Sequence, residues 1–161
     1  MPPITALLHA TNDSLRLGRT LEMLLPCVEI LIVDHDSADG TRRIAREYGA
    51  RIVTADRNST LNRYLDQASH DWILCMQPGE SITESLQASL FEWSLLPETA
   101  VAGRASFSLR VREQIGEDWR TVAPPETRLI PRKWALWNGI VPAQDPSAIA
   151  LEGELLRLAH P

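Results

Sequence analysis

The 161-residue sequence is poor in cysteine: it has two, Cys27 and Cys75. Both stand in apolar stretches, Leu24–Val28 and Ile73–Met76, where a thiol packs as a small hydrophobe. A disulfide framework is therefore excluded, and two reduced thiols are expected. No apolar run approaches the ~18 residues that a membrane-crossing helix needs. The start of the chain has no basic segment followed by an apolar one, so it does not read as a signal peptide. Acidic residues outnumber basic ones, 21 to 16, and the net charge of −5 argues against a broad nucleic-acid-binding face. A small anionic ligand needs only local positive groups and stays open. Together these absences point to a cytoplasmic chain. What remains, 44% hydrophobic and 23% charged residues, is the balance of one ordinary globular domain long enough to bury a core.

The first half alternates strand and helix signals. Ile4–Leu8 is an apolar run, followed by the turn and cap residues His9 to Ser14. Leu17, Leu21, Leu24 and Leu25 recur at helical spacing before Pro26. Ile30–Val33 is β-rich without polar alternation, the pattern of a strand buried on both faces. Thr41–Tyr48 predicts a helix closed by Gly49, and Arg51–Val53 a third strand. Leu61, Leu65 and Ala68 predict a helix capped by Asn58 or Ser59. Trp72–Met76 predicts a fourth strand. Ser81 to Glu84 fits a capping box opening a helix that carries Leu86, Leu90 and Trp93 and ends at Pro97. Residues 4–96 thus read β-α-β-α-β-α-β-α, which implies a parallel sheet covered by helices with right-handed crossovers. From 99 to 137 the runs are short and extended: Val101-Ala102, Ala105–Val111, Trp119–Val122, Arg128–Ile130 and Trp134–Trp137. Gly116, Pro124-Pro125 and Pro131 break them, and they predict antiparallel strands added beside the parallel sheet. A loop from Pro142 and a short apolar segment, Ile149–Leu158, complete the chain. The expected division is one domain, with a nucleotide-binding half at 1–97 and an acceptor-side half at 98–161.

Ligands of an open parallel sheet bind beyond the carboxyl ends of its strands. Four loops qualify, after Leu8, Val33, Val53 and Met76. The first contains Thr11 and Asn12, and the last begins at Gln77. The richest, Asp34-His35-Asp36-Ser37-Ala38-Asp39-Gly40-Thr41, delivers carboxylates that can accept hydrogen bonds from a base or ribose, Asp34 and Asp36 foremost. Ser37, Asp39 and Gly40 serve equally well as turn and cap residues. His9 sits near a strand end, where a structural role competes with a place in a base pocket. Arg128, Arg132 and Lys133 form a basic cluster that either neutralises a diphosphate or edges the surface. Trp119, Trp134 and Trp137 either stack on a sugar or pack. No glycine-rich phosphate loop follows the first strand, which argues against a flavodoxin- or Rossmann-like regulatory domain.

The segment Ile30-Leu31-Ile32-Val33-Asp34-His35-Asp36-Ser37-Ala38-Asp39-Gly40-Thr41 resembles the nucleotide-binding segment of family 2 glycosyltransferases, closest to the lipopolysaccharide-core-type branch. The likeness continues in order through Ile44–Ala50, the spacing from Asn62 to Trp72, Arg128-Leu129-Ile130-Pro131-Arg132, and Glu152 to Pro161. It implies a GT-A-type α/β fold and a UDP-, GDP- or dTDP-sugar donor. An aspartate like Asp34 would contact the base, and Thr11, Asn12, Asp36, Asn62, Gln77, Arg128 and Arg132 would be candidate substrate-binding residues. The family's Asp-x-Asp motif after the fourth strand holds the ribose and a divalent metal. A later carboxylate acts as base toward the acceptor hydroxyl.

The sequence departs from that pattern at both chemical positions. After Met76 it reads Gln77-Pro78-Gly79-Glu80, where the family would read Asp-Ala-Asp-Glu. Mg²⁺ and Mn²⁺ prefer hard anionic oxygens, so with Glu80 as the one surviving carboxylate any metal is expected to be weakly held. Glu80 serves alternatively as a charge before the following helix. After Ile140 stands Val141-Pro142-Ala143 in place of the family's base segment. Asp145, two or three positions on, is the remaining candidate for a catalytic carboxylate, with a turn role before Pro146 as its alternative. The expectation is a glycosyltransferase-like protein whose metal motif and base are lost. The alternative is a non-catalytic nucleotide-sugar-binding or protein-interaction module on the same fold. Oligomeric state is not encoded in these features, and peripheral membrane contact is compatible with them.

Overall fold

The computed structural model describes residues 3–58, 61–101 and 106–160, with the side chains of Leu61 and Asn62 outside that description. Strands β1 (Ile4–Ala10), β2 (Glu29–Asp34), β3 (Arg51–Thr54) and β4 (Trp72–Met76) alternate with helices α1 (Leu17–Glu22), α2 (Thr41–Glu47) and α3 (Leu61–Leu65). Then follow β5 (Glu80–Ile82), α4 (Glu84–Ser94), α5 (Glu98–Val101), β6 (Phe107–Ile115), β7 (Asp118–Pro131), β8 (Trp137–Asn138), β9 (Val141–Pro142) and β10 (Ile149–Arg157). Eight strands form one sheet in the order β3-β2-β1-β4-β7-β6-β10-β5, and β8 pairs with β9 in a separate hairpin. The first four strands are mutually parallel, β7 runs antiparallel to both β4 and β6, and β10 is parallel to β6. The expected α/β architecture is present, antiparallel additions included.

Pleating splits the core in two. Ile4, Ala6, Leu8, Ala10 and Ile32 pack on one face against Leu17, Leu21 and Leu24, while Leu7, Leu31 and Val33 pack on the other against Tyr64 and Leu65. Strands β1 and β2 need apolar residues at successive positions because helices cover both faces. Trp72, Trp93 and Phe107 lock the second half to the first through edge-to-face contacts with centroids 5.1 to 5.8 Å apart.

Three local expectations are corrected, and the apolar segment after Pro142 takes a definite form. Glu80–Ile82 is a strand, so the α4 cap moves from Ser81 to Thr83, whose Oγ1 accepts from Leu86 N at 3.2 Å. Val101 ends a short helix rather than a strand, and Ala102 lies outside the described residues. Trp119–Val122 and Arg128–Ile130 are two ends of one strand, β7, which passes through Pro124-Pro125 where its partner β6 shifts register. The segment Ile149–Leu158 is mostly a strand, inserted between β6 and β5. Of the two proposed caps for α3, Ser59 lies outside the described residues, and the backbone N–H of Asn58 donates to Asp56 Oδ1 at 3.0 Å.

Glycine is required at one close approach. Gly153 lies on β10 at φ 99°, and a Cβ at that position would stand 2.2 Å from the Leu86 amide nitrogen. That contact lets β10 lie against the start of α4, where Thr83 N donates to Glu154 O at 3.0 Å and Ser89 Oγ to Glu152 O at 2.7 Å.

A candidate nucleotide crevice

The carboxyl ends of β1 to β4 open into two adjoining lobes. One, of about 440 Å³, is lined by His9, His35, Asp36, Ala55, Asp56, Arg57, Tyr64 and Ile140. The other, of about 460 Å³, is lined by Thr11, Asp13, Arg16, Gln77 and Pro78 together with the same His9, His35 and Ile140. The β8–β9 hairpin brings Ile140 over the waist between them.

Strand parity decides what faces this crevice. Asp34 stands at the carboxyl end of β2, as the apolar run before it requires, but it shares the face of Ile32 and is turned toward α2. It is 1% exposed. Its Oδ2 accepts from Arg42 Nε at 2.7 Å and from Ser37 N at 3.3 Å, while Oδ1 is buried without a hydrogen-bond partner among the described residues. Burial opposes its ionisation, but the bonds from Ser37 and Arg42 and the Arg42 charge outweigh that and hold its pKa below the usual range. The side chain placed in the crevice by β2 is the next one, His35.

His35 Nε2 and His9 Nδ1 lie 2.8 Å apart. His9 is 8% exposed, its ring edge-on to Tyr64, and its Nε2 is buried with no hydrogen-bond partner among the described residues. Burial, and then the charge of His35, pull the His9 pKa down to about 4, so the ring is neutral near pH 7. Tyr64 is fixed by accepting from Asp56 N at 2.8 Å and donating to Asp56 O at 3.0 Å.

The loop carrying Thr11 and Asn12 is braced against the one after β2. Asn12 N donates to Ser37 Oγ at 3.0 Å, and Asn12 Oδ1 accepts from Ala38 N at 2.8 Å. Asn12 thus ties two loops together, and Thr11 lines the crevice. Buried Asp13 accepts from Thr11 N at 2.8 Å and pairs with Arg16. Asp39 bonds Thr41 and Ser14 across the same junction, and these bonds, the Thr41 hydroxyl first, lower its pKa.

Of the ten residues singled out from the sequence, Thr11, Asp36 and Gln77 line the crevice, and four others require correction. Glu80 is 1% exposed and forms a double bond pair with buried Arg128, Oε1 to Nη1 at 2.8 Å and Oε2 to Nη2 at 2.7 Å. Glu80 Oε1 also accepts from Gln77 N, and Glu126 and Arg157 extend the cluster. Burial lowers the Arg128 pKa, but the Glu80 and Glu126 charges outweigh it and raise the net value. Neither Glu80 nor Arg128 is therefore available to a metal or a diphosphate, because each satisfies the other in a site closed to water. Arg132 lies beside the amino end of β4, away from the crevice, and contacts Ala68 O at 2.9 Å and Asp71 at 3.3 Å. Asp145 is a turn residue: Oδ1 accepts from Ser147 N and Oγ, and Oδ2 from Ser106 Oγ at 2.7 Å. The side chain of Asn62 lies outside the described residues.

The donor set does not fit a divalent cation. Gln77 offers a neutral carbonyl, Gly79 offers no side chain and sits at φ 91°, and Glu80 is committed to Arg128. Among the described residues no group of three or more His, Cys, Asp or Glu side chains is arranged to hold a metal. The tryptophans pack: Trp134 and Trp137 rest against the second core, and Trp119 lies under Arg112 at 5.6 Å. His35, Arg16, Tyr64 and Ile140 were not singled out from the sequence as site residues. Parity after Val33 points to His35, whereas Arg16 and Ile140 are brought in by α1 and the hairpin.

Residues 6–78 match the model of the family described as glycosyl transferase family 2. A Rickettsia felis protein described as an uncharacterized glycosyltransferase is 28% identical over 95 residues, 54% of this chain and 32% of that protein. The lipopolysaccharide core biosynthesis glycosyltransferase LpsC of Rhizobium meliloti is 27% identical over 117 residues, 68% of this chain and 41% of its own length. The chain thus spans roughly a third to two fifths of the length of these relatives. In fold it is similar to S. aureus TarS 1-349, with a TM-score of 0.51 at 15% identity, over 76% of this chain and 38% of that one.

Proposed function

We propose that this chain, whose residues 6–78 match the model of glycosyl transferase family 2, acts as a member of that family whose crevice binds a sugar nucleotide and transfers the sugar slowly or not at all. The lobe holding Tyr64, Asp36, Asp56 and Arg57 takes the nucleoside, and the lobe holding Thr11, Arg16 and Gln77 takes the diphosphate. The observation that carries this reading is the continuity of the two lobes through His9, His35 and Ile140 at the carboxyl ends of four parallel strands, where α/β sheets bind ligands. The relatives are named as glycosyltransferases, which supports a UDP-, GDP- or dTDP-sugar as the ligand class.

Slow transfer follows from the groups in place. A leaving diphosphate needs positive charge in the transition state. Arg16 is half exposed and already paired with Asp13, and Arg128 is sequestered by Glu80. An acceptor hydroxyl needs a base within hydrogen-bond reach, a contribution of typically ~10²–10⁴-fold. Both oxygens of Asp145 are engaged by Ser147 and Ser106. The same occupancy favours the second reading, a nucleotide-sugar-binding module without transfer chemistry.

The cytoplasm suits this reading: Cys27 and Cys75 are unpaired, as thiols are in a reducing compartment. Among the described residues no helix is long and apolar enough to cross a membrane. The test is incubation with a panel of sugar nucleotides and sugar or lipid acceptors, with release of nucleoside diphosphate followed over time. Binding with release far below an ordinary enzymatic rate is expected. Release at such a rate that survives Glu80→Gln but not Asp145→Asn would restore a catalytic role to Asp145 and overturn the degenerate-site reading.

A further inference from the structure

We propose that the His9–His35 pair is the anion-binding element of this crevice, taking up one proton as a diphosphate settles across its two lobes. The inference rests on the sugar-nucleotide reading above and adds how charge is met where a cation does not fit.

Two imidazole nitrogens 2.8 Å apart share one hydrogen. If His9 Nδ1 donates it, His9 Nε2 is a bare lone pair. If His35 Nε2 donates it, His9 Nε2 must carry its own hydrogen. In both states that outer nitrogen is buried and unsatisfied among the described residues, which costs free energy until a ligand supplies the partner. Protonating the pair removes the ambiguity. An imidazolium at His35, the more exposed ring, donates from Nε2 to His9 Nδ1. His9 is then fixed as the Nε2–H tautomer, and that hydrogen is free for an anionic oxygen. One N–H bond forms with a proton from solvent, no other bond is made or broken, and the crevice gains one positive charge and one unpartnered donor.

The surrounding charges are nearly balanced, four carboxylates against three arginines, so one proton on the pair brings the crevice to neutrality before the anion is counted. The loop after β1 contributes Asp13 with Arg16, and the loop after β2 and the start of α2 contribute Asp34 with Arg42, and Asp36. The loop after β3 contributes Asp56 and Arg57, and α3 contributes Tyr64. The loop after β4 contributes Gln77 and Pro78, and the hairpin Ile140, none of them charged. Burial disfavours charge on His9, so a proton taken up by the pair resides on His35.

The test is calorimetry with UDP-glucose, GDP-mannose and dTDP-glucose, whose doubly esterified diphosphates do not titrate near neutrality, with EDTA present at equal concentration in cell and syringe. Each titration is run in two buffers of different ionisation enthalpy. For the nucleotide that binds, the proposal expects net proton uptake at pH 7, and affinity rising about tenfold or more from pH 8 to pH 6, because the complex holds more protons than the free protein. His35→Gln, checked for folding by circular dichroism, keeps weaker binding without uptake or pH dependence. A second readout needs no variant: adding the nucleotide to the wild type at pH 7 moves the imidazole resonances of the His9–His35 pair toward their protonated positions. Binding without proton uptake, or uptake that persists in His35→Gln, overturns the proposal and leaves the nucleotide reading standing. If none of the three binds, the nucleotide reading falls and this inference with it.

Discussion

Arg128 and Glu80 face each other in a two-pronged ion pair, 2.7 and 2.8 Å, with both side chains at most 2% exposed. Arg128 Nη1 also donates to Cys75 O at 2.9 Å, so the pair stitches β4, β5 and β7 beneath the crevice. Glu80, the one carboxylate left at the position of the family's metal motif, is committed to Arg128. Glu80→Gln leaves Arg128 buried and unpaired by its main partner, and should cost about 3–5 kcal/mol. The double variant Glu80→Met/Arg128→Leu should recover much of that loss. Urea denaturation of the three proteins checks it. A single variant as stable as the wild type would mean the carboxylate is free, and would reopen a ligand role.

Gly153 should be the least replaceable glycine. Its φ of 99° opposes any side chain, and so does the 2.2 Å that would separate an alanine methyl from Leu86 N. Gly153→Ala should cost about 2–4 kcal/mol, from backbone strain plus displacement of β10 from α4. Gly49, at φ 74° with open space around it, should lose only about 1 kcal/mol on the same change. Thermal melts of the two variants measure the difference, and equal losses would contradict the packing described.

His9 makes folding stability depend on pH. Its pKa is near 6.5 unfolded and about 4 folded, so between those values the unfolded chain binds more protons. Stability from this group is complete above the unfolded pKa and falls as pH drops from about 6.5 toward 4, by at most about 3 kcal/mol. Denaturation at pH 7 and pH 4.5, for the wild type and His9→Gln, reads it directly. The variant should lose less stability on acidification, and an identical loss would show that His9 titrates normally.

The parallel half was legible because both-face burial leaves unbroken apolar runs, as in Ile30–Val33, and because Gly49 marks a helix end. The second half was legible only in type. Pro124-Pro125 looked like a break, yet β7 continues through it because β6 shifts register at the same place. Asp34 is held close by in the chain, by Ser37 and by Arg42 eight positions on. Glu80 is an acidic residue at a site where the resembling family uses carboxylates, but its bonding is set by a long-range partner, Arg128, forty-eight positions away. Asp145 was ambiguous for the opposite reason: its Ser147 partner is local, and a turn carboxylate looks the same in sequence as a free one. His35 was within reach, since alternation after Val33 puts it on the face opposite Asp34.

Calorimetric titration of UDP-, GDP- and dTDP-sugars with and without Mn²⁺ decides whether this crevice binds a sugar nucleotide in the absence of a divalent metal. At least one of them should bind, with Mn²⁺ changing the affinity by less than about tenfold, or ~1.4 kcal/mol. A gain of more than about a hundredfold with Mn²⁺, ~2.7 kcal/mol, would mean that Gln77 and its neighbours assemble a real metal site and would contradict that expectation.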